Sequence, residues 1–203
     1  MIQDLQFRKE NCTLIIIDMQ NAFINPNGSL ARMGLDTSRT ANSIKPIITL
    51  KNEFNKCKLP IIYLQHIHRQ DGLDAGLIEK VFLPIMQLGH CKEGSWDSEI
   101  IDELKPSETD YIVKKHRFSG FYNTQLDDVL RGLGVNILVV CGISTNVCVE
   151  STVRDAFYRD YNVFVPLEST AGFTVEQEQA AIENFQFAFA RVISLDDMLA
   201  KLK

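Results

Sequence analysis

A nearly continuous run of branched apolar residues, at positions 135–141, leads through Gly142 into a stretch with helical spacing. Runs of this kind are typical of a parallel strand that is buried on both faces. Polar residues at 144–146 can cap a helix whose apolar side chains then recur every three or four positions. Residues 134–159 therefore predict a strand, a tight turn and a helix, which is the repeating unit of a parallel α/β sheet.

Cys148 falls in the first turn of that predicted helix. Unpaired backbone N–H groups and the positive end of the helix dipole favour a thiolate at this position. We therefore expect the pKa of Cys148 to be lowered, which would make the side chain a nucleophile in need of a base. The alternative is a small core residue, which is what we expect of Cys141.

The rest of the chain alternates strand and helix patterns without an internal repeat or a linker. Strands are predicted at 12–18, 61–65, 111–114, 135–141, 162–166 and 191–193, and helices at 38–58, 122–133, 175–189 and the end of the chain. Pro46 predicts a kink or a late start in the first of these helices. The alternation predicts one domain over residues 1–203, a three-layer α/β/α sandwich with a six-stranded, mostly parallel, Rossmann-like sheet.

Residues 67–98 have only weak periodicity and include scattered glycines, Pro84 and the single tryptophan, Trp96. Irregular segments of this length in compact domains are usually lids or binding loops, or they contain short helices. We therefore expect this segment to contribute to a binding site.

Composition argues against several classes of function. A net charge of −5 without a basic run argues against nucleic-acid binding. There is no apolar span long enough to cross a membrane, and residues 1–10 are too polar for a signal peptide. Five cysteines without a CxxC pair argue against a disulfide framework or a zinc knuckle. We expect a cytoplasmic protein with no membrane or nucleic-acid partner.

Three residues with complementary chemistry fall at or just beyond the carboxyl ends of predicted strands: Asp18, Lys114 and Cys148. Ligands of open parallel sheets bind outside that edge. A carboxylate can take the thiol proton, an ammonium can hold the thiolate and base electrostatically, and the thiolate can attack a carbonyl carbon. Each residue also has a structural alternative, as a turn residue, a solvated strand end or a core residue respectively.

Four motifs give these residues a family context: LIIIDMQNAF at 14–23, GSWDSEIIDEL at 94–104, KKHRFSGFYNTQL at 114–126 and GISTNVCVESTVRDA at 142–156. In these motifs the chain resembles the isochorismatase-like cysteine hydrolase superfamily, and they span almost the whole chain in the order of that family.

The resemblance implies a catalytic triad of Asp18, Lys114 and Cys148. It also implies a cis peptide bond between Ile143 and Ser144, with the backbone N–H groups of Ser144 and Cys148 binding an oxyanion. Members of the family usually assemble, so a homo-dimer or homo-tetramer is expected.

Among the branches of the family, the motifs are most similar to those of the ureidoacrylate amidohydrolases, with the biuret hydrolases as neighbours. This similarity implies cleavage of a C–N amide bond in a small ureido or carbamoyl compound through a thioester-type acyl-enzyme. The alternatives are an enol-ether hydrolase acting on isochorismate, a nicotinamidase-like amidase, and a binding protein that keeps the pocket without turnover. Cys148 argues against the enol-ether reaction, because that branch generally lacks the cysteine.

Seven residues near the motifs are candidates for substrate binding: Gln20, Phe23, His66, Trp96, Arg117, Phe121 and Asn123. Among these, a guanidinium such as that of Arg117 could pair with a substrate carboxylate. Each of the seven also has an alternative as a core, bracing or surface residue.

We predict no metal and no cofactor. Nicotinamidases carry an Asp-x-His motif after the second strand, whereas this chain has His66-Ile67-His68 at the equivalent place. We expect the two histidines to point to opposite faces at the end of the strand, which would argue against a shared metal ion. His90 is the remaining histidine of this variable region.

Overall fold

Seven strands form the centre of the computed structural model, which describes residues 7–203. The strands are β1 Cys12–Ile17, β2 Ile61–His66, β3 Tyr111–Lys115, β4 Ile137–Ile143, β5 Asn162–Pro166, β6 Thr170–Ala171 and β7 Arg191–Ile193. Six of them follow the order β3-β2-β1-β4-β5-β7, and β6 pairs with β4 beyond the end of β5. Every pairing between these strands is parallel.

Ten α-helices accompany the sheet in the described residues: α1 Asn21–Ile24, α2 Ser29–Arg32, α3 Thr37–Ala41, α4 Ile44–Lys56, α5 Leu77–Val81, α6 Leu83–Gln87, α7 Leu126–Leu133, α8 Glu150–Phe157, α9 Val175–Asn184 and α10 Leu195–Leu202. Buried side chains of α4 and α10 pack on one face of the sheet. Those of α7, α8 and α9 pack on the other face. The predicted three-layer α/β/α sandwich is therefore confirmed.

The central strand β1 is buried on both faces, as its apolar run predicts. Leu14 and Ile16 belong to one core layer, whereas Ile15 and Ile17 belong to the other. Alternate residues of a strand point to opposite faces, so one short strand supplies both layers.

Three strands continue further than the sequence pattern indicates, and β2, predicted at 61–65, does so by one residue to His66. The strand predicted at 135–141 spans Ile137–Ile143 and runs through Gly142 instead of ending there. The strand predicted at 111–114 extends by one residue to Lys115. The seventh strand, β6, has only two residues and therefore leaves no periodic pattern in the sequence.

Gly142 is required by the close approach of β4 to β1. Its φ is +116°, and a Cβ at this position would lie 2.1 Å from the carbonyl oxygen of Ile17. Only glycine has neither the steric penalty at this φ nor a side chain that meets the neighbouring backbone.

The helix predicted at 38–58 starts late, as Pro46 indicates. The structure has the short helix α3 and then α4, in which Pro46 is the third residue. A proline in the first turn removes an N–H that has no partner within the helix, so it is tolerated there. The helix predicted at 122–133 is regular only from Leu126.

The long segment 67–98 contains the short helices α5 and α6, one of the two possibilities raised by its sequence. Within the described residues, none of the helices is both long and apolar enough to cross a membrane. The polar N-terminal stretch at 1–10 lies outside the described residues in its first six positions.

Candidate active site

The carboxyl ends of four neighbouring strands bring together the polar residues of the candidate site. Asp18 follows β1, His66 and Lys115 end β2 and β3, and Cys148 lies five residues beyond β4. The strand register pairs His66 with Lys115 directly. All four side chains are buried, although each carries an ionisable group.

The lysine of this cluster is Lys115, so the prediction that Lys114 lies with Asp18 and Cys148 is wrong. Lys115 Nζ lies 2.7 Å from Asp18 Oδ2, and both side chains are fully buried. Lys114 points to the opposite side of the strand and forms an exposed ion pair with Glu93 at 2.7 Å. The reason is the two-residue period of β3, which buries Val113 and Lys115 and exposes Lys114.

Asp18 is held in a conformation that non-glycine residues adopt infrequently, with φ of +52°. Burial raises the pKa of the Asp18 carboxyl, and the nearby Lys115 ammonium opposes this rise. Burial alone would lower the pKa of Lys115, but the charges of Asp18 and Cys148 outweigh it and leave that pKa raised. Neither carboxylate oxygen of Asp18 makes a hydrogen bond of good geometry within residues 7–203. The carboxylate therefore has lone pairs available for a proton.

The Cys148 thiol lies within 4.8 Å of an Asp18 carboxylate oxygen and of a His66 ring nitrogen. Burial raises the pKa of Cys148, and the Lys115 ammonium only partly offsets this effect. The expectation of a lowered pKa is therefore wrong, because the loss of water outweighs the helix end and the lysine. The resting side chain is a thiol next to a carboxyl group.

A wide helical turn of the π type, Thr145–Val149, carries Cys148 and leads into α8. The Val147 and Val149 N–H groups both donate to the Ser144 carbonyl oxygen, at 3.1 and 3.2 Å. The peptide bond between Ile143 and Ser144 is cis, as predicted.

A cavity of about 390 Å³ opens above Cys148. Such a volume lies near the lower end of the range for small-molecule pockets, roughly 300–1,000 Å³. Its wall comes from β2, the turn after β4, and the segments that contain α1, α2, α5, α6 and the start of α9. The lining residues are Phe23, Leu30, Met33, Leu35, His66, Ile78, Phe82, Ile85, His90, Phe118, Ser144, Asn146, Val147, Cys148, Phe173, Thr174 and Gln177.

Two of the seven predicted substrate-binding residues, Phe23 and His66, line this cavity. Gln20 does not, because its side chain braces the backbone. Its Nε2 donates to the carbonyl oxygens of His66 and Ser98, and its Oε1 accepts from the His66 N–H, each at 2.8 Å. This corrects its predicted role in substrate binding.

The other four predicted contacts also lie away from the cavity. Arg117 donates to the carbonyl oxygens of Asp74 and His116. Phe121 is a core residue on the face of the sheet that α7, α8 and α9 cover. Trp96 is half-exposed beside a separate surface depression, and Asn123 lies next to Lys114 in another. These side chains belong to turns or strand ends whose direction a sequence pattern does not determine.

Sequence reasoning missed most of the apolar lining, including Phe82, Phe118 and Phe173. These residues come from three separate segments with little periodicity, so no local signal predicts that they meet. Lys115 was also missed, but the sequence does contain a signal for it. Residues two positions apart in a strand share a face, so the buried side of Val113 favours burial of Lys115 over Lys114.

His66, at the end of β2, and His68 contact each other instead of pointing to opposite faces. Their Nε2 atoms lie 2.9 Å apart. The expectation is wrong because residues at positions i and i+2 of an extended chain point to the same side, and His68 is still extended, in a β-bridge with Lys92. His66 Nδ1 accepts from Lys115 Nζ at 3.2 Å, while His68 Nδ1 lies 3.4 Å from Asp74 Oδ1.

His90 occupies a second polar position on the cavity wall. Its Nδ1 lies 2.6 Å from Ser29 Oγ and 3.7 Å from Asp97 Oδ2. Burial lowers the pKa of His90 to about 4, although Asp97 opposes the shift. Burial and the Lys115 charge also lower the pKa of His66 well below its ordinary value. Both imidazoles are therefore neutral at pH 7.

Three groups of potential metal-ligand atoms occur in the described residues: Asp18, His66 and Cys148; His68, Asp74 and His116; and His90, Cys91 and Asp97. The sequence prediction found no third donor near His66 and His68, and the fold brings several close. The prediction of a metal-free protein stays a prediction, which a chelator experiment tests.

Comparison with known proteins gives the site a family context. The family model described as the Isochorismatase domain matches residues 12–197. A relative from Azorhizobium caulinodans, named ureidoacrylate amidohydrolase RutB, is 34% identical over 208 residues, which cover 96% of this chain and 92% of the relative.

Two solved structures are similar over nearly the whole chain. A cysteine hydrolase from Pseudomonas syringae pv. phaseolicola superposes with a TM-score of 0.89 and 30% identity, covering 97% of this chain and 94% of the other. The N-carbamoylsarcosine amidase from Thermoplasma acidophilum has a TM-score of 0.77 and 30% identity, with 92% and 97% covered.

Proposed function

Because the chain belongs to the isochorismatase domain family, we propose that it is a cysteine-dependent amidohydrolase of small ureido or carbamoyl compounds. The broader activity, hydrolysis of carbon–nitrogen bonds other than peptide bonds, follows from its amidohydrolase relatives. The observation that carries the finer proposal is the buried group of Asp18, Lys115 and Cys148, with the thiol on the wall of the cavity.

The first half of the reaction forms a thioester. Asp18 takes the proton of the Cys148 thiol as Sγ forms a bond with the substrate carbonyl carbon. The carbonyl oxygen becomes an oxyanion, which the backbone N–H groups of Ser144 and Cys148 bind. The C–N bond then breaks, and the leaving nitrogen takes the proton from Asp18 and departs as ammonia or an amine.

The second half regenerates the enzyme. A water molecule gives a proton to Asp18 and attacks the thioester carbonyl carbon. The C–S bond breaks, and Cys148 regains its proton from Asp18. Water has then replaced the nitrogen group, and no oxidant or reductant is needed.

The raised pKa of Cys148 fits this order of events, in which the proton leaves the thiol as the new bond forms. Lys115 supplies the positive charge that stabilises the carboxylate and the developing thiolate at 2.7 Å from Asp18. The same charge keeps Asp18 closer to its ionised form than burial alone would allow.

The test compares two cysteines of the same chain. We expect Cys148→Ala and Cys148→Ser to abolish ammonia release from ureido and carbamoyl compounds while the melting temperature changes little. Cys141→Ala is the matched control, because Cys141 is buried in β4 with Sγ 3.4 Å from the Ile15 carbonyl oxygen, away from the cavity. Full activity in Cys148→Ala would overturn the cysteine mechanism.

Two further measurements separate the alternatives. Release of pyruvate from isochorismate without ammonia from any amide would favour an enol-ether hydrolase. Ammonia release that a chelator abolishes and added metal restores would favour a metal-dependent amidase. We also propose a homo-dimer or homo-tetramer, as the family resemblance predicts, and analytical ultracentrifugation measures it.

A further inference from the structure

The wall of the cavity above Cys148 is dominated by aromatic and aliphatic side chains. Phenylalanines from four different segments contribute to it: Phe23, Phe82, Phe118 and Phe173. The Phe82 and Phe118 rings pack edge to face with their centroids 6.4 Å apart. Phe23 packs in the same way against His90, at 5.2 Å. Such a wall favours the binding of a hydrocarbon group over that of a polar group, which would have to give up its water.

None of the seventeen lining residues, all within the described part of the chain, is Asp, Glu, Lys or Arg. The two histidines on the wall are engaged within the protein, His66 Nε2 at 2.9 Å from His68 Nε2 and His90 Nδ1 at 2.6 Å from Ser29 Oγ. The remaining polar groups are hydroxyls and carboxamides, which carry no charge. A charged part of a substrate would therefore enter this cavity without a counter-ion.

Three basic side chains close to the site in the chain are held by other groups. Lys115 is paired with Asp18 at 2.7 Å. Arg117 is held by two backbone carbonyl oxygens, and Gly76 packs closely against its guanidinium. Arg39 pairs with Glu178 at 3.3 Å. Burying a carboxylate without a cationic partner costs several kcal/mol in real proteins.

Asn146, a residue of the wall, has a carboxamide oxygen without a partner in the described residues, and we take this carboxamide as the acceptor for an N–H group of a substrate. Asn146 Oδ1 is buried and accepts no hydrogen bond from the described residues. Asn146 lines the cavity two residues before Cys148, beside Ser144 on the same turn. A buried acceptor without a partner is unfavourable, so a donor from the ligand would be stabilising there.

We propose that the substrate is a neutral urea or carbamoyl compound with an uncharged hydrocarbon substituent, in preference to a ureido acid. The substituent occupies the phenylalanine-rich wall, the carbonyl carbon faces Cys148, and a substrate N–H donates to Asn146 Oδ1. This inference rests on the proposed function for its reacting bond and adds the chemistry of the group attached to it.

The test uses pairs of compounds that differ only by a carboxylate: phenylurea against 4-ureidobenzoate, and butylurea against 4-ureidobutanoate. We expect kcat/KM for ammonia release to be at least about tenfold higher for the neutral member of each pair. Binding of the same compounds to Cys148→Ala, measured by calorimetry, should show the same preference.

If the cavity prefers neutral compounds because it lacks a counter-ion, then adding a cation to the wall should weaken that preference. Met33 lines the cavity and is 37% exposed, so Met33→Arg can place a guanidinium at the wall without burying it fully. We expect this variant to shift the ratio within each pair about tenfold toward the carboxylate. Phe187→Arg is the matched control, because Phe187 is 89% exposed and does not line the cavity.

The possible results separate the two proposals. Ammonia release that is equal or faster with the carboxylate compounds would overturn the inference and leave the proposed function standing. No ammonia from any compound would count against the proposed function, and binding to Cys148→Ala would still decide the inference. Tighter binding of the carboxylate members, or no binding of the neutral ureas, would overturn it.

Discussion

Lys115 Nζ and Asp18 Oδ2 lie 2.7 Å apart, and neither side chain is exposed to solvent. A buried pair of this kind is costly to form, because both charges leave water. It is also costly to break, because the remaining charge then has no partner. The pair therefore links the stability of the fold to the charge of the candidate site.

The first prediction compares two neighbouring lysines. Lys115→Met should lower kcat/KM about a thousandfold and destabilise the fold by about 3 kcal/mol at pH 7. Lys114→Met should leave activity within about twofold and stability within about 0.5 kcal/mol, since its ion pair is exposed. Ammonia release and urea unfolding measure the two effects.

The cost of Lys115→Met should also depend on pH. Without the ammonium, Asp18 can become neutral by taking a proton, so the destabilisation should shrink from pH 7 to pH 5. A larger loss in Lys114→Met than in Lys115→Met would contradict the assignment of the site lysine.

The second prediction concerns the acid side of the pH–rate profile. Asp18 must be ionised to take the thiol proton, so activity falls as the pH drops through its pKa. Burial raises that pKa above the ordinary value of 3.8. We expect kcat/KM to decline at a pH above 3.8, and Asp18→Asn to be inactive at every pH. An acid limb below 3.8 would contradict the raised pKa.

The third prediction is a loss of stability below pH 6.5. In the unfolded chain His90 takes a proton near pH 6.5, whereas in the fold its pKa is lowered to about 4. The unfolded state therefore binds more protons between these two values, and the free energy of unfolding decreases as the pH falls. One such histidine gives a slope of roughly 1.4 kcal/mol per pH unit.

The control for this prediction is a variant without the imidazole. The difference between the wild type and His90→Asn isolates the contribution of His90 from those of the other titrating groups. We expect the slope between pH 6 and pH 5, from urea unfolding, to be smaller in His90→Asn. Equal slopes would show that His90 takes its proton in the folded state at an ordinary pH.

Much of the fold could be predicted from local patterns. The apolar runs of β1 and β4 are buried on both faces, and a parallel sheet between helices is the arrangement that covers them. Pro46 correctly indicates the late start of α4, because its missing N–H can be accommodated only in the first turn.

The site was harder to predict because one residue decides the face of a strand. The sequence pattern places the end of β3 one residue too early, so it predicts the exposed Lys114 as the site lysine instead of the buried Lys115. Most of the cavity wall could not be predicted, since Phe82, Phe118 and Phe173 come from separate segments with little periodicity and meet only through the tertiary fold.

The fourth prediction compares two glycines. Gly142→Ala should destabilise the protein by more than about 3 kcal/mol, because its Cβ would overlap the backbone of Ile17 at a positive φ. Gly132→Ala is the matched control in α7, where a Cβ meets nothing within 4 Å. We expect it to stabilise by about 0.5–1 kcal/mol. Urea unfolding measures both, and equal effects would contradict the close approach of β4 to β1.

The fifth prediction separates stability from binding at two asparagines. Asn146 Oδ1 is buried without a partner in the described residues, so Asn146→Ala should leave stability nearly unchanged. The same variant should raise KM for the neutral ureas by about tenfold, because the substrate N–H loses its acceptor.

Asn123 should behave in the opposite way. It has a φ of +51° and lies away from the cavity, so Asn123→Ala should cost about 1 kcal/mol of stability and leave KM unchanged. Steady-state ammonia release and urea unfolding of both variants measure this crossed pattern. An unchanged KM in Asn146→Ala would remove Asn146 from the binding site, because a wall residue that accepts the substrate N–H cannot be lost without weakening the complex.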